Sequence, residues 1–156
     1  MEEILDAYVV PLAMKKAEQA GIMVPQYKMV TDEFPSRVLV YAVNPFSTKY
    51  ALINNPEERE TVSKALTMGG KYPVLCQYLP PNYQIITLRS VLGQTSNSKF
   101  QEFVKAVFQV FQLPLMRIMV IANGAEYFLS SIKPLSLKEL DNQERSWLEA
   151  VGQWLE

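Results

Sequence analysis

Side chains able to do acid–base, nucleophilic or metal chemistry are scarce in this sequence. There is no histidine, which removes the commonest general base, the hydroxyl and thiol nucleophiles it activates, and imidazole ligation of zinc or iron. Cys76 is the only cysteine, so an intramolecular disulfide and a thiolate cluster within one chain are excluded. Inside the apolar run 72–79 it reads as a buried, inert thiol. Glu57, Glu58 and Glu60 are close enough for paired-carboxylate work. After Asn55-Pro56, however, they read as the first turns of a helix, where acids complement the positive end. Gly69-Gly70 lacks the following Lys-Ser/Thr of a phosphate loop and stands at the wrong end of that helix. Phe100, Phe103, Phe108 and Phe111 recur at helical spacing and read as core, not as an aromatic ligand box. These residues predict no catalytic centre, no bound metal and no cofactor.

Composition sets the frame for whatever positions them. With 156 residues, 49% apolar and 20% charged, the expectation is one α+β domain spanning 1–156 with a sizeable core. The net charge is −1 and no basic block offers a stripe to phosphates, so no nucleic-acid partner is expected. Glu2 and Glu3 have the wrong sign for a signal peptide. No apolar run approaches the roughly 18 residues of a membrane span. A cytoplasmic protein without a membrane partner is the expectation.

Hydrophobic periodicity predicts a leading helix over 3–20, with Pro11 as a kink or early break and Gly21 as a stop. An extended piece at 26–31 precedes a strand at 37–43, a turn at Asn44-Pro45, a return strand at 49–53 and a helix from Pro56 to Met68. Strands at 72–79 and 83–92 then flank a turn at Pro80-Pro81-Asn82. A helix over 98–112 carries the phenylalanine stripe. Strands at 115–122 and 126–132 meet at Asn123-Gly124, the strongest short hairpin signal in the chain. A last helix over 136–155 buries Leu137, Leu140, Trp147, Leu148, Val151 and Leu155. The pattern is a leading helix and three strand–strand–helix units, with a largely antiparallel sheet.

Several segments resemble an ATP-grasp ligase of the kind that joins amino acids to a carboxylate, in degenerate and shortened form. AEQAGIMVPQY (17–27) resembles that family's Gly-Ile-x-Val-Pro entry to the nucleotide lobe. FPSRVLVYAVNPFSTKYALINNPEE (34–58) resembles its strand, loop, strand and helix start, although the loop has no glycine. YPVLCQYLPPNYQIITLRSVLG (72–93) is similar to the strand leading to the nucleotide hinge and the strand after it. LPLMRIMVIANGAEYFLSSIKPLSL (113–137) is similar to the closing hairpin that carries the metal ligands. The resemblance implies Lys49 and Lys71 as phosphate-facing residues and Gln77 near the adenine hinge. It also implies departures. Asn44-Pro45 stands where the family has a phosphate-binding Lys-Pro, and Met119, Ser131 and Lys133 stand where it has magnesium ligands. Neither a thioether nor an ammonium suits magnesium, so the resemblance implies that phosphoryl transfer is lost.

Topology is also similar to that of type III secretion chaperones, which bind other polypeptides. Taken together, the leading expectation is a non-enzymatic protein-interaction or regulatory domain with an unidentified protein partner. The alternative is an ATP-binding or ATP-dependent carboxylate–amine ligase relative. A third reading is a small-molecule carrier with a pocket of Tyr41, Tyr50, Tyr78 and Tyr83. Because the strands at 37–43 and 72–79 have no charge in their interiors to protect an edge, a homodimer is expected as well.

Overall fold

The computed structural model describes residues 6–31, 34, 35, 37–43, 50–54, 56–67 and 72–155. The first helix, α1, runs Val10–Gln19 with Pro11 in its first turn, where a missing N–H costs nothing. Residues 6–8 are helical but separated from α1 by a bend at Val9, so the proline acts as an early break. Val10, Ala13, Met14 and Ala17, at i, i+3, i+4 and i+7, form its buried face. The helix ends in a paired closure, Gly21 N–H to the Glu18 carbonyl at 3.1 Å and Ile22 N–H to the Ala17 carbonyl at 2.9 Å. This satisfies carbonyls that the last turn leaves open.

Among the described residues seven strands follow: β1 (Tyr27–Val30), β2 (Val38–Ala42), β3 (Tyr50–Ile53), β4 (Val74–Tyr78), β5 (Gln84–Val91), β6 (Leu115–Asn123) and β7 (Glu126–Pro134). They form two antiparallel sheets, ordered β1-β4-β2-β3 and β5-β6-β7. Helix α2 (Pro56–Thr67) links β3 to β4, α3 (Gln101–Phe111) links β5 to β6, and α4 (Asn142–Leu155) closes the described chain. The α+β class and the order of elements are as the sequence implies.

Strands β2 and β4 are buried on both faces, which is why their sequences run apolar without alternating. Val38, Val40, Val74 and Cys76 pack under Val62 and Leu66 of α2. Leu39, Tyr41 and Leu75 turn the other way, into a core shared with α1, α3 and the second sheet. Both strands are interior, each hydrogen-bonded on two sides. They offer no free edge, and the ground for expecting dimerisation through them is removed.

Four sequence expectations shift in detail. The strands around Pro80-Pro81-Asn82 do not pair with each other; this segment carries the chain from one sheet to the other. Two prolines cannot donate to a ladder, and Asn82 turns the backbone at φ 53°. The β6–β7 hairpin tip is Gly124-Ala125, because Asn123 pairs with Glu126. Gly124, at φ 61°, takes the first central position that a II′ turn requires. Helix 98–112 starts as a 3-10 turn, Ser98–Phe100, and Phe100, Val104, Val107 and Phe111 are buried while Phe103 and Phe108 are half-buried. The final helix is broken at Leu140-Asp141 after a 3-10 turn, Leu137–Glu139, which leaves Leu137 60% exposed. Leu140 packs with Val91 and Leu135, and Trp147 and Leu148 lie against them. The side chains of Val151 and Leu155 lie outside the described residues, as do Asn44-Pro45, Asn55, Met68 and Gly69-Gly70 and the side chain of Glu60. No helix among the described residues is long and apolar enough to cross a membrane.

Candidate functional site

The second sheet is a three-strand meander, and its register builds the site. Arg89 pairs with Arg117, and Arg117 with Lys133, so three cations stand directly opposite one another across β5, β6 and β7. Two residues along, on the same face, Thr87 pairs with Met119 and Met119 with Ser131. Opposed like charges destabilise a sheet, so the row persists only with compensation. All of these but Ser131 line a cavity of about 390 Å³, together with Tyr50 of β3 from the first sheet, Leu135 and Glu139. The Lys133 ammonium lies 4.2 Å from the centre of the Tyr50 ring. Burial, and secondarily Arg117, hold the Lys133 pKa below its usual value.

The compensation comes from the chain immediately after β7. Ser136 caps the 3-10 turn in a reciprocal capping box, with Glu139 accepting from the Ser136 N–H at 3.0 Å. Glu139 Oε1 accepts from Arg117 at 2.6 Å, and the Glu139 carbonyl accepts from Arg89. Asp141 and Glu144 repeat the device at the start of α4: Asp141 Oδ1 accepts from the Glu144 N–H at 2.8 Å, and Glu144 Oε1 from the Asp141 N–H at 2.9 Å. Glu144 is 3% exposed and grips Arg89 through both oxygens, at 2.9 and 3.1 Å. The Ser136 N–H, then Arg117, lower the Glu139 pKa below the ordinary carboxylate value.

Behind the cavity runs a buried polar chain that ties the two sheets together. The register of β6 and β7 slips between Met119 and Val120, leaving Ser130 as an extra residue on β7. Neighbouring strand residues normally face opposite ways; the bulge lets both Ser130 and Ser131 reach Tyr41. Ser131 donates to the Tyr41 hydroxyl at 3.0 Å, and Tyr41 and Ser130 share a bond at 2.7 Å. Ser130 donates on to Gln77 Oε1, and Gln77 Nε2 donates to the Ser130 carbonyl at 2.7 Å. Loss of hydration pushes the Tyr41 pKa up to about 12, against the two serine bonds that lower it.

Of the residues implied by resemblance, Gln77 is fully buried, with its amide committed to Ser130 and 3.5 Å from the Met14 sulfur. Lys49 and Lys71 lie outside the described residues. Met119 and Lys133 line the cavity, whereas Ser131 is directed to Tyr41. The four tyrosines do not share a pocket: Tyr41 is buried, Tyr50 lines the cavity, Tyr78 is 38% exposed, and Tyr83 donates to Asn54 at 3.0 Å. Cys76 is buried, and loss of hydration pushes its thiol up to about 12, far from a working nucleophile. Glu57 and Glu58 are exposed in the first turn of α2, where Glu58 accepts from the Asn54 N–H at 3.1 Å.

Two antiparallel sheets facing across a cleft, one of them covered by a helix, define an ATP-grasp fold. The chain superposes on D-alanine–D-alanine ligase from Helicobacter pylori with TM-score 0.70 at 14% identity, covering 95% of this chain and 61% of that one. A RimK domain ATP-grasp protein from Sphaerobacter thermophilus gives TM-score 0.68 at 13% identity, covering 94% and 64%. D-alanine–D-alanine ligase from Bacillus anthracis, complexed with ATP, gives 0.64 at 10% identity, covering 92% and 60%. Residues 42–151 match the RimK-like ATP-grasp N-terminal domain, and the chain belongs to that family. It spans about three fifths of the length of these structures. No curated protein sequence matches it.

The expectation of a non-enzymatic interaction or regulatory domain is thereby overturned in favour of its alternative, an ATP-grasp relative. The missing histidine removes imidazole chemistry alone and bears on neither the fold nor the family. The likeness to type III secretion chaperones is not shown.

Magnesium, which the fold family implies, does not fit the corresponding positions. They offer a thioether, a hydroxyl already donating to Tyr41, and an ammonium. Among the described residues no three carboxylates or thiols converge, and the carboxylates nearest the cleft, Glu139 and Glu144, are held by arginines.

Proposed function

We propose that this chain is the nucleotide-binding body of a protein related to ATP-dependent carboxylate–amine ligases, and that the cleft between its sheets receives the nucleotide. The observation that carries this reading is the row Arg89, Arg117, Lys133 lining a cavity together with Tyr50. Guanidinium groups match phosphate oxygens in bidentate fashion, and the ammonium adds a point charge. The family membership supports the same assignment. Metal-assisted phosphoryl transfer by the whole protein would require oxygen donors from outside the described residues, so the reading is one of binding.

Thermal denaturation with and without ATP tests it. A nucleotide at a hundred times its dissociation constant stabilises by about 2.7 kcal/mol. For a chain of this length that raises Tm by roughly 5–10 °C. A Tm that does not move across millimolar ATP, with or without magnesium, refutes the proposal.

A further inference from the structure

Glu139 is an anion already seated in the cleft. It lines the cavity beside Arg89 and Arg117. Its Oε1 takes the Arg117 guanidinium at 2.6 Å, the contact that a ligand oxygen would make. The two glutamates of this region are held differently. The Glu144 side chain is 4% exposed and grips Arg89 at 2.9 and 3.1 Å. The Glu139 side chain is 42% exposed and meets one nitrogen of Arg117, itself 36% exposed. Exposed single-point pairs contribute little, so this contact is the one that yields. Its loss leaves the backbone anchored, because the Glu139 carbonyl accepts from Arg89, which Glu144 holds in turn. The carboxylate is thus tethered beside Arg117 by its own main chain, and a tethered group competes at a high effective concentration.

We infer that Glu139 is an internal competitor for Arg117, and that the phosphate end of the nucleotide enters the cleft by exchanging with this carboxylate. This rests on the proposed nucleotide-binding reading and specifies how that site is regulated. In the closed arrangement Arg117 is paired with Glu139; in the open one it is given to the phosphate, while Arg89 stays with Glu144. Only the open fraction binds, so the apparent dissociation constant is the intrinsic one divided by that fraction. Ligand affinity is therefore set by the strength of one part-exposed ion pair, and whatever loosens that pair tightens the site.

The test is calorimetric titration of the 156-residue chain with ATP, for the wild type, Glu139→Gln, Glu139→Asp, Arg117→Gln and Glu126→Gln. Glutamine keeps an oxygen for the Ser136 N–H and removes the charge. Aspartate keeps the charge but is one methylene shorter, which withdraws it from Arg117. Glu126 is exposed at the far end of the β6–β7 hairpin and serves as the charge control. The expected result is ATP binding about three- to tenfold tighter in both Glu139 variants and unchanged in Glu126→Gln. Arg117→Gln should weaken it about tenfold or more. Tightening by Glu139→Gln without tightening by Glu139→Asp assigns the effect to charge and not to contact, and overturns the inference. Wild-type binding that neither Glu139 variant tightens overturns it while leaving the nucleotide-binding reading intact. Binding indifferent to Arg117→Gln places the phosphate elsewhere and also overturns it. Absence of binding by the wild type and every variant overturns both. Circular dichroism of Arg117→Gln, unchanged from wild type, separates loss of the site from loss of the fold.

Discussion

Removing the Ser130 hydroxyl should destabilise the chain far more than so small a deletion suggests. Ser130 is fully buried and stands in the middle of the polar chain that joins the sheets. In Ser130→Ala, Tyr41 loses its 2.7 Å partner and keeps the Ser131 hydroxyl at 3.0 Å and the Met119 sulfur at 3.7 Å. That loss is worth about 1 kcal/mol. The larger part falls on Gln77, whose Oε1 keeps no hydroxyl donor in a fully buried place. An orphaned buried acceptor costs about 1–3 kcal/mol, so the sum is about 2–4 kcal/mol. At this chain length Tm should fall by roughly 5–15 °C. Tyr41→Phe removes a hydroxyl but leaves the Ser130–Gln77 bond in place, so it should cost less, about 1–2 kcal/mol. Urea denaturation followed by far-UV circular dichroism measures both, and the double variant gives their coupling, expected near 1 kcal/mol. If Ser130→Ala unfolds within about 0.5 kcal/mol of wild type, the hydroxyl is not buried between two partners and the reasoning fails.

Gly93 sits at φ 81°, and a methyl group there would lie 2.7 Å from Phe108 Cδ1. Gly93→Ala should therefore cost about 2–4 kcal/mol, backbone strain plus overpacking. Gly124→Ala, with open space around it, should cost only the backbone share, about 1–2 kcal/mol. Equal losses in chemical denaturation would show that the Phe108 ring yields freely. Lys133→Met should raise the Tm of the ligand-free chain at neutral pH. The lysine's folded pKa is depressed, so its charged form is penalised at every pH below that value, and the penalty vanishes as pH rises past its ordinary 10.5. The gain should accordingly shrink at alkaline pH; a Tm lowered by more than roughly 2 °C at pH 7 contradicts it.

Local chemistry was readable wherever the determinant was local. The strand 37–43, the helix start at Pro56 and the break at Pro11 all follow from a few adjacent residues. The alternation of β2, with Val38 and Val40 on one face and Leu39 and Tyr41 on the other, is hidden because both faces are buried. The segment at Pro80-Pro81-Asn82 carries the composition of a turn, and nothing nearby records that it changes sheets. The cation row was invisible for a similar reason. Arg89, Arg117 and Lys133 lie on separate strands and become neighbours only through ladder register. One signal was available: Ser-Leu-Lys-Glu at 136–139 and Asp-Asn-Gln-Glu at 141–144 are successive capping boxes. Glutamates so placed mark the ends of short helical turns, and here they also point to arginines. The family resemblance was legible in the same apolar segments, although no single one carried it.

Those two capping boxes give each glutamate two employments. Glu139 and Glu144 close the amino ends of successive helical turns and also neutralise the arginine row. The free energy of opening the first turn of α4 therefore contains an electrostatic contribution from the sheet. Added salt weakens the exposed Arg117–Glu139 part first and spares the buried Arg89–Glu144 part. Any anion that takes Arg117 withdraws one of the two ion pairs that join residues 136–145 to the sheet. The occupancy of the cleft is thus written into the amide exchange rates of residues 136–145, a readout that lies outside the cavity itself.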